Sequence, residues 1–87
     1  MTDKRLEVFC TLAEQLSFSR AAKLTGISQP AVTKHIAVLE QEMGCALFLR
    51  LGSSVMLTPK GEELYKKAKE ILDLYKSLEA IKSQPFS

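Results

Sequence analysis

Gly26 is the residue that most narrows the folds open to this chain. Ala22 lies four positions before it and Val32 six after, each within a stretch of helical character. A small residue lets two helices cross closely, a glycine makes the tight turn between them, and a β-branched side chain packs the second helix back onto the first. This spacing alone has many false positives. It gains weight from Ser28-Gln29-Pro30, which reads as a helix start. Ser28 supplies the capping hydroxyl, and Pro30 fits the first turn, where a missing N–H costs little.

Periodicity and punctuation place the other elements around that turn. Leu6, Phe9, Ala13 and Leu16 recur at three- and four-residue steps and predict a helix over 3–16, with Thr2 or Asp3 as its cap. Ser17-Phe18-Ser19 breaks that pattern and opens a short helix over 18–25, closed by Gly26, with Ile27 as an apolar plug. Val32, Ile36, Leu39 and Met43 form the apolar stripe of the third helix, and Gly44 closes it. Two short apolar runs, Ala46-Leu47-Phe48-Leu49 and Val55-Met56-Leu57, flank the turn-forming Leu51-Gly52-Ser53-Ser54 and predict a β-hairpin. Thr58-Pro59 then starts a helix that runs to Lys82, where Ser83-Gln84-Pro85 stops it.

This order, three compact helices, a hairpin and a long helix, is that of a mainly α winged helix-turn-helix. It has a three-helix core and a short β-hairpin wing, followed by a long dimerisation helix. The expected division is a DNA-binding domain over 1–58, a linker helix over 59–82 and a tail over 83–87.

Size and charge bound what such a domain does. The chain has 87 residues, enough for one small domain, and 46% of them are apolar, which supports a folded state. The net charge of +2 says little by itself, but its distribution is uneven. Residues 15–39 carry Arg20, Lys23 and Lys34 with no acid, and residues 43–61 carry Arg50 and Lys60 with no acid. Such acid-free windows suit phosphate. No apolar run is long enough to span a bilayer and the N-terminus lacks a signal-peptide pattern, so the expected location is the cytoplasm. One histidine and two scattered cysteines do not make a metal site, and no glycine-rich loop follows a strand. No cofactor and no enzymatic activity are therefore expected. Cys10 and Cys45 read as free thiols of a reducing compartment.

At 100° per residue, Pro30, Lys34, Ala37, Val38 and Gln41 lie opposite the apolar stripe of the third helix, and Thr33 lies between. The N-terminal part of a recognition helix enters the major groove. Gln29 can pair bidentately with adenine, Lys34 can donate to guanine, and Thr33 or Pro30 can touch a thymine methyl. Ser28 and the helix-start amides suit a phosphate. His35 reads as a plain polar flank residue. Arg50, at the base of the wing, reads either as a phosphate contact or as one half of an internal ion pair.

These residues together resemble the LysR-type family of bacterial transcriptional regulators. The matching positions are Leu6-x-x-Phe9, Ser17-Phe18-Ser19-x-Ala21-Ala22-x-x-Leu24 and Ser28-Gln29-Pro30-Ala31-Val32-Thr33. They continue through Ile36-x-x-Leu39-Glu40, Gly44-x-x-Leu47-Phe48-x-Arg50 and Leu57-Thr58-x-x-Gly61. The resemblance implies sequence-specific binding of double-stranded DNA, with a recognition helix over about 28–43 and a wing over about 46–57 on the backbone or minor groove. It also implies a linker helix that pairs two subunits. A small-molecule effector is expected only on a C-terminal domain beyond residue 87. Three positions depart from the pattern. Thr33 stands for the usual serine and keeps the hydroxyl. His35 replaces a common glutamine. Ser53 occupies the wing tip where many members carry arginine, which argues against strong minor-groove insertion.

The seam expected for pairing is Leu64, Ala68, Ile71, Tyr75 and Leu78, at steps of four, three, four and three, widened by Leu72. A helix of about 24 residues, roughly 36 Å, is too long for three short helices to cover. The alternative is that it folds back on its own domain. The resemblance to the family implies that the homodimer is antiparallel, with a tetramer open for the full-length protein. Two further readings are a redox-sensing DNA binder using Cys45 and a protein-interaction module using the long helix.

Overall fold

The computed structural model describes residues 3–82. It contains helices α1 (Asp3–Gln15), α2 (Phe18–Thr25) and α3 (Gln29–Met43), strands β1 (Phe48–Leu51) and β2 (Ser54–Leu57), and helix α4 (Pro59–Lys82). The architecture is the expected one: mostly helix with one antiparallel two-stranded hairpin. The cap expected from Thr2 or Asp3 and the stop at Ser83-Gln84-Pro85 rest on groups outside the described residues.

The glycine turn has the expected geometry. Gly26 takes the left-handed conformation at φ 72°, and its N–H and that of Ile27 both donate to the Ala22 carbonyl. Ser17 caps α2 by accepting from Arg20 N–H, and Ser28 caps α3 by accepting from Ala31 N–H. Gly44 closes α3 in the same left-handed way. Thr25, buried at the end of α2, returns its hydroxyl to the Ala21 carbonyl at 2.6 Å. Lys4 Nζ donates to the Thr25 carbonyl at 2.7 Å and so ties α1 to the end of α2.

α1 is more deeply buried than its predicted stripe. Val8, Cys10 and Leu12 are buried along with Leu6, Phe9 and Ala13, because α2, α3 and α4 all pack against this helix. Leu16 leaves the predicted pattern: α1 ends at Gln15, and Leu16 is exposed with φ 50°. Met43 is likewise exposed, since α3 has by then passed the end of the core. Val32, Ile36 and Leu39 occupy the centre with Leu47 and Phe48, and the Phe9 and Phe48 rings meet edge to face at 5.6 Å.

The hairpin begins two residues later than predicted. Phe48 pairs with Leu57, Leu49 with Met56, Arg50 with Val55 and Leu51 with Ser54, leaving Gly52-Ser53 as the turn. The ladder stops at Phe48 because the Leu47 N–H and the Ala46 carbonyl take side-chain partners, while the Thr58 carbonyl accepts from Glu62 N–H in α4. Glu40 Oε2 accepts from Leu47 N–H at 2.8 Å and Phe48 N–H at 3.3 Å. The Leu47 carbonyl accepts from Thr58 N–H, and the Ala46 carbonyl accepts from the Thr58 hydroxyl at 2.8 Å. Thr58 also caps α4 through Gly61 N–H. Gly61 is required by this close approach, because a Cβ there would overlap the Leu47 carbonyl oxygen and lie 2.8 Å from Leu57 Cδ2.

The first half of α4 belongs to the core. Gly61 and Ala68 are buried, and Leu64, Tyr65 and Leu72 pack against the core cluster. The second half projects beyond the three-helix body. The molecule measures 55 × 24 × 18 Å, and its radius of gyration of 14.3 Å exceeds the roughly 12 Å of a compact chain of this length.

Candidate nucleic-acid interface

The exposed face of α3 carries the residues singled out from the sequence. Gln29, Pro30, Thr33, Lys34, Ala37 and Gln41 are exposed, while Val38 and His35 are half-buried on the flanks. Thr33 Oγ1 donates to the Gln29 carbonyl at 3.2 Å, and its methyl group remains available for apolar contact. The start of α3 offers fewer amides than expected. Pro30 has no N–H, Ala31 N–H is taken by the Ser28 hydroxyl, and Val32 N–H donates to the Ser28 carbonyl. That leaves the Gln29 amide. Ser28 itself is exposed and keeps its own O–H for a phosphate oxygen.

The wing is linked to the helical body through Glu40 of α3 and Phe18 of α2. Ser53 lies in the two-residue turn at its tip, exposed, next to Gly52 at φ 63°. Among the described residues Arg50 makes no ion pair with a carboxylate. Its guanidinium lies over the Phe18 ring, with Cζ 4.0 Å from the ring centroid. Glu40 was legible only as a motif position. The structure gives it a task, because its carboxylate ties the recognition helix to the first residues of the wing. A carboxylate seven residues from the amide it accepts leaves no periodic signal in sequence.

The contact between α1 and α4 is different. Cys10 is buried against α4, and burial followed by the nearby Glu14 charge pushes its thiol up to about 11. Tyr65 donates to Glu14 Oε2 at 2.6 Å, and this hydrogen bond is the main cause that pushes its phenol up to about 12. Lys69 pairs with the same carboxylate at 3.7 Å. Cys45 is free and half-buried.

The residues of the expected pairing seam differ in exposure. Ala68 is 0% exposed and lies within its own domain's core, and Leu64 and Leu72 pack against that core. Ala68 is thus closed to a second copy, because its small side chain is what lets α4 lie against the three-helix body. Ile71, Tyr75 and Leu78 are exposed, together with Leu74 at 67% and Ile81 at 66%, two residues the sequence reading left out. Ile71, Leu74, Leu78 and Ile81 step by three, four and three and form an exposed apolar track that shares Ile71 and Leu78 with the expected seam.

Three helices with a glycine turn, a two-stranded wing and an acid-poor exposed face on α3 define a winged helix-turn-helix domain. Residues 4–62 match the model of the bacterial regulatory helix-turn-helix proteins of the lysR family, and the chain belongs to that family. It is a family of regulators, not of enzymes. The chain is 48% identical over 67 residues to the HTH-type transcriptional regulator BbuR of Bordetella bronchiseptica, covering 77% of this chain and 21% of that protein. It is 46% identical over 69 residues to the HTH-type transcriptional regulator BudR of Klebsiella aerogenes, covering 79% of this chain and 48% of that protein. The chain therefore spans between a fifth and a half of these relatives. Among solved structures, full-length OxyR from Pseudomonas aeruginosa matches all of this chain and 29% of its own, with a TM-score of 0.91 and 32% identity. BenM_DBD in complex with benA site 1 DNA matches 94% of this chain and 95% of its own, with a TM-score of 0.87 and 30% identity. Among the described residues, no helix is long and apolar enough to cross a membrane.

Proposed function

We propose that this chain is the sequence-specific DNA-reading part of a LysR-type transcriptional regulator acting in the bacterial cytoplasm. The observation that carries the reading is the α3 face: Gln29, Pro30, Thr33 and Lys34 are exposed together at the N-terminal end of a helix held by the Gly26 turn. That end of a recognition helix reaches base edges, while Ser28, Arg50 and the Ser53 tip serve the phosphate backbone. The likeness to a domain solved on DNA supports this reading. In this assignment residues 1–58 read DNA and residues 59–82 pair two copies, although the two parts share one core.

Pairing falls to the projecting half of α4, through Ile71, Leu74, Leu78 and Ile81, with Tyr75 at the margin. Leu64 and Leu72 border this track from the core side. An antiparallel pair would present two recognition helices to one face of the duplex, matching half-sites a helical turn or a multiple apart. The test is binding of a labelled duplex at rising salt. Affinity should fall by the steep power law of phosphate contacts, roughly 0.9 per neutralised phosphate. Absence of duplex binding at low salt would reject the reading and leave the protein-interaction module.

A further inference from the structure

The contact between Phe18 and Arg50 joins two elements far apart in sequence. Phe18 is the first residue of α2, half-buried and packed against the core, so its ring is fixed to the body of the domain. Arg50 sits on β1 opposite Val55, in a wing of only two short strands. The guanidinium lies over the ring, with Cζ 4.0 Å from the centroid. Stacking occupies one face of this planar cation and leaves its in-plane N–H donors for other partners. Arg5 illustrates the contrast, since its guanidinium is engaged by Glu42. The sequence around Arg50 and around Phe18 carries no acid: residues 15–39 and 43–61 are free of Asp and Glu. Beside the ring, the α2 start adds the Ser17 and Ser19 hydroxyls, 3.2 Å apart.

We infer that Phe18 is a positioning residue for DNA backbone binding: its ring holds the Arg50 guanidinium, one residue pair in from the turn of the wing, to grip one phosphodiester. This role rests on the DNA-binding reading above. A wing with an uncharged tip has few other means of holding phosphate, which makes the orientation of this one cation matter.

The experiment measures binding of a fluorescent mixed-sequence duplex across a salt series for the parent, Arg50→Ala, Phe18→Leu, Phe18→Tyr and the double variant Phe18→Leu/Arg50→Ala. Arg50→Ala should flatten the slope of log affinity against log salt by about 0.9, one phosphate. Phe18→Leu keeps an apolar side chain but removes the ring face, and should flatten the slope in the same direction and weaken low-salt binding about threefold or more. Phe18→Tyr should behave as the parent, and the double variant should be no weaker than Arg50→Ala. A parent-like slope for Phe18→Leu, or losses that multiply in the double variant, would overturn the role. An unchanged slope for Arg50→Ala would overturn it too. A parent that does not bind the duplex at all would instead reject the functional reading beneath it. Independently of any variant's folding, the Arg50 side-chain protons of the parent should be shifted upfield by the ring; unshifted resonances would contradict the contact.

Discussion

Single residues in this domain are specified by what reaches them from elsewhere in the chain. Cys10 shows this in its chemistry. A thiol within a helical apolar pattern reads as inert, and its burial against α4 with the Glu14 charge nearby raises its pKa from 9.0 to about 11. The folded state therefore holds this proton more tightly than the unfolded chain. The resulting stability is fully present below pH 9.0 and is lost as pH rises through 11. In a Cys45→Ser background, the alkylation rate of the remaining thiol should rise with a midpoint near 11 rather than 9.0, followed by mass spectrometry. A midpoint at the ordinary value would show that α4 does not cover Cys10 in solution.

At the scale of elements, the wing is held mainly by groups outside itself. Glu40 accepts from Leu47 and Phe48, and Thr58 binds the carbonyls of Ala46 and Leu47. Glu40→Gln keeps the shape and removes the charge from these bonds, and should cost about 1–2 kcal/mol. Amide exchange at Leu47 and Phe48 should accelerate more than at Val32 or Leu39. Equal acceleration everywhere would mean that Glu40 stabilises the fold without locking the wing. The same contacts explain what the sequence could and could not convey. α2 and α3 were legible to their ends, and α4 at its start, because Gly26, Gly44 and Thr58-Pro59 are local punctuation. The hairpin start was not, since Leu47 is claimed by a carboxylate seven residues back, and the ladder cannot begin there. α1 read as one stripe because periodicity cannot count how many neighbours a helix has. The exposed face of α3, with Gln29, Thr33 and Lys34, was legible because it is simply the side opposite the stripe. The stacking of Arg50 on Phe18 was not, because it joins residues 32 positions apart with no charge partner to suggest it.

At the scale of the whole molecule, α4 carries two apolar tracks. One track, through Gly61 and Ala68, closes its own core; the other, through Ile71, Leu74, Leu78 and Ile81, projects into solvent. Sequence spacing blends the two tracks, since both fall near a heptad. Leu78→Asp lies on the projecting track and should abolish pairing in light scattering while leaving the thermal midpoint of the monomer within a few degrees. Loss of the monomer fold would instead place Leu78 in the core. The central claim concerns the other end of the molecule, where α3 presents its first turns. It is tested most directly by selecting bound sequences from a random duplex pool with the parent, Gln29→Ala and Lys34→Ala. The parent should recover a dyad-symmetric site. Each variant should lose about 1–3 kcal/mol on that site and relax base preference at one position per half-site. Variants that recover the parental site with unchanged preference would contradict the assignment of α3 as the reading helix.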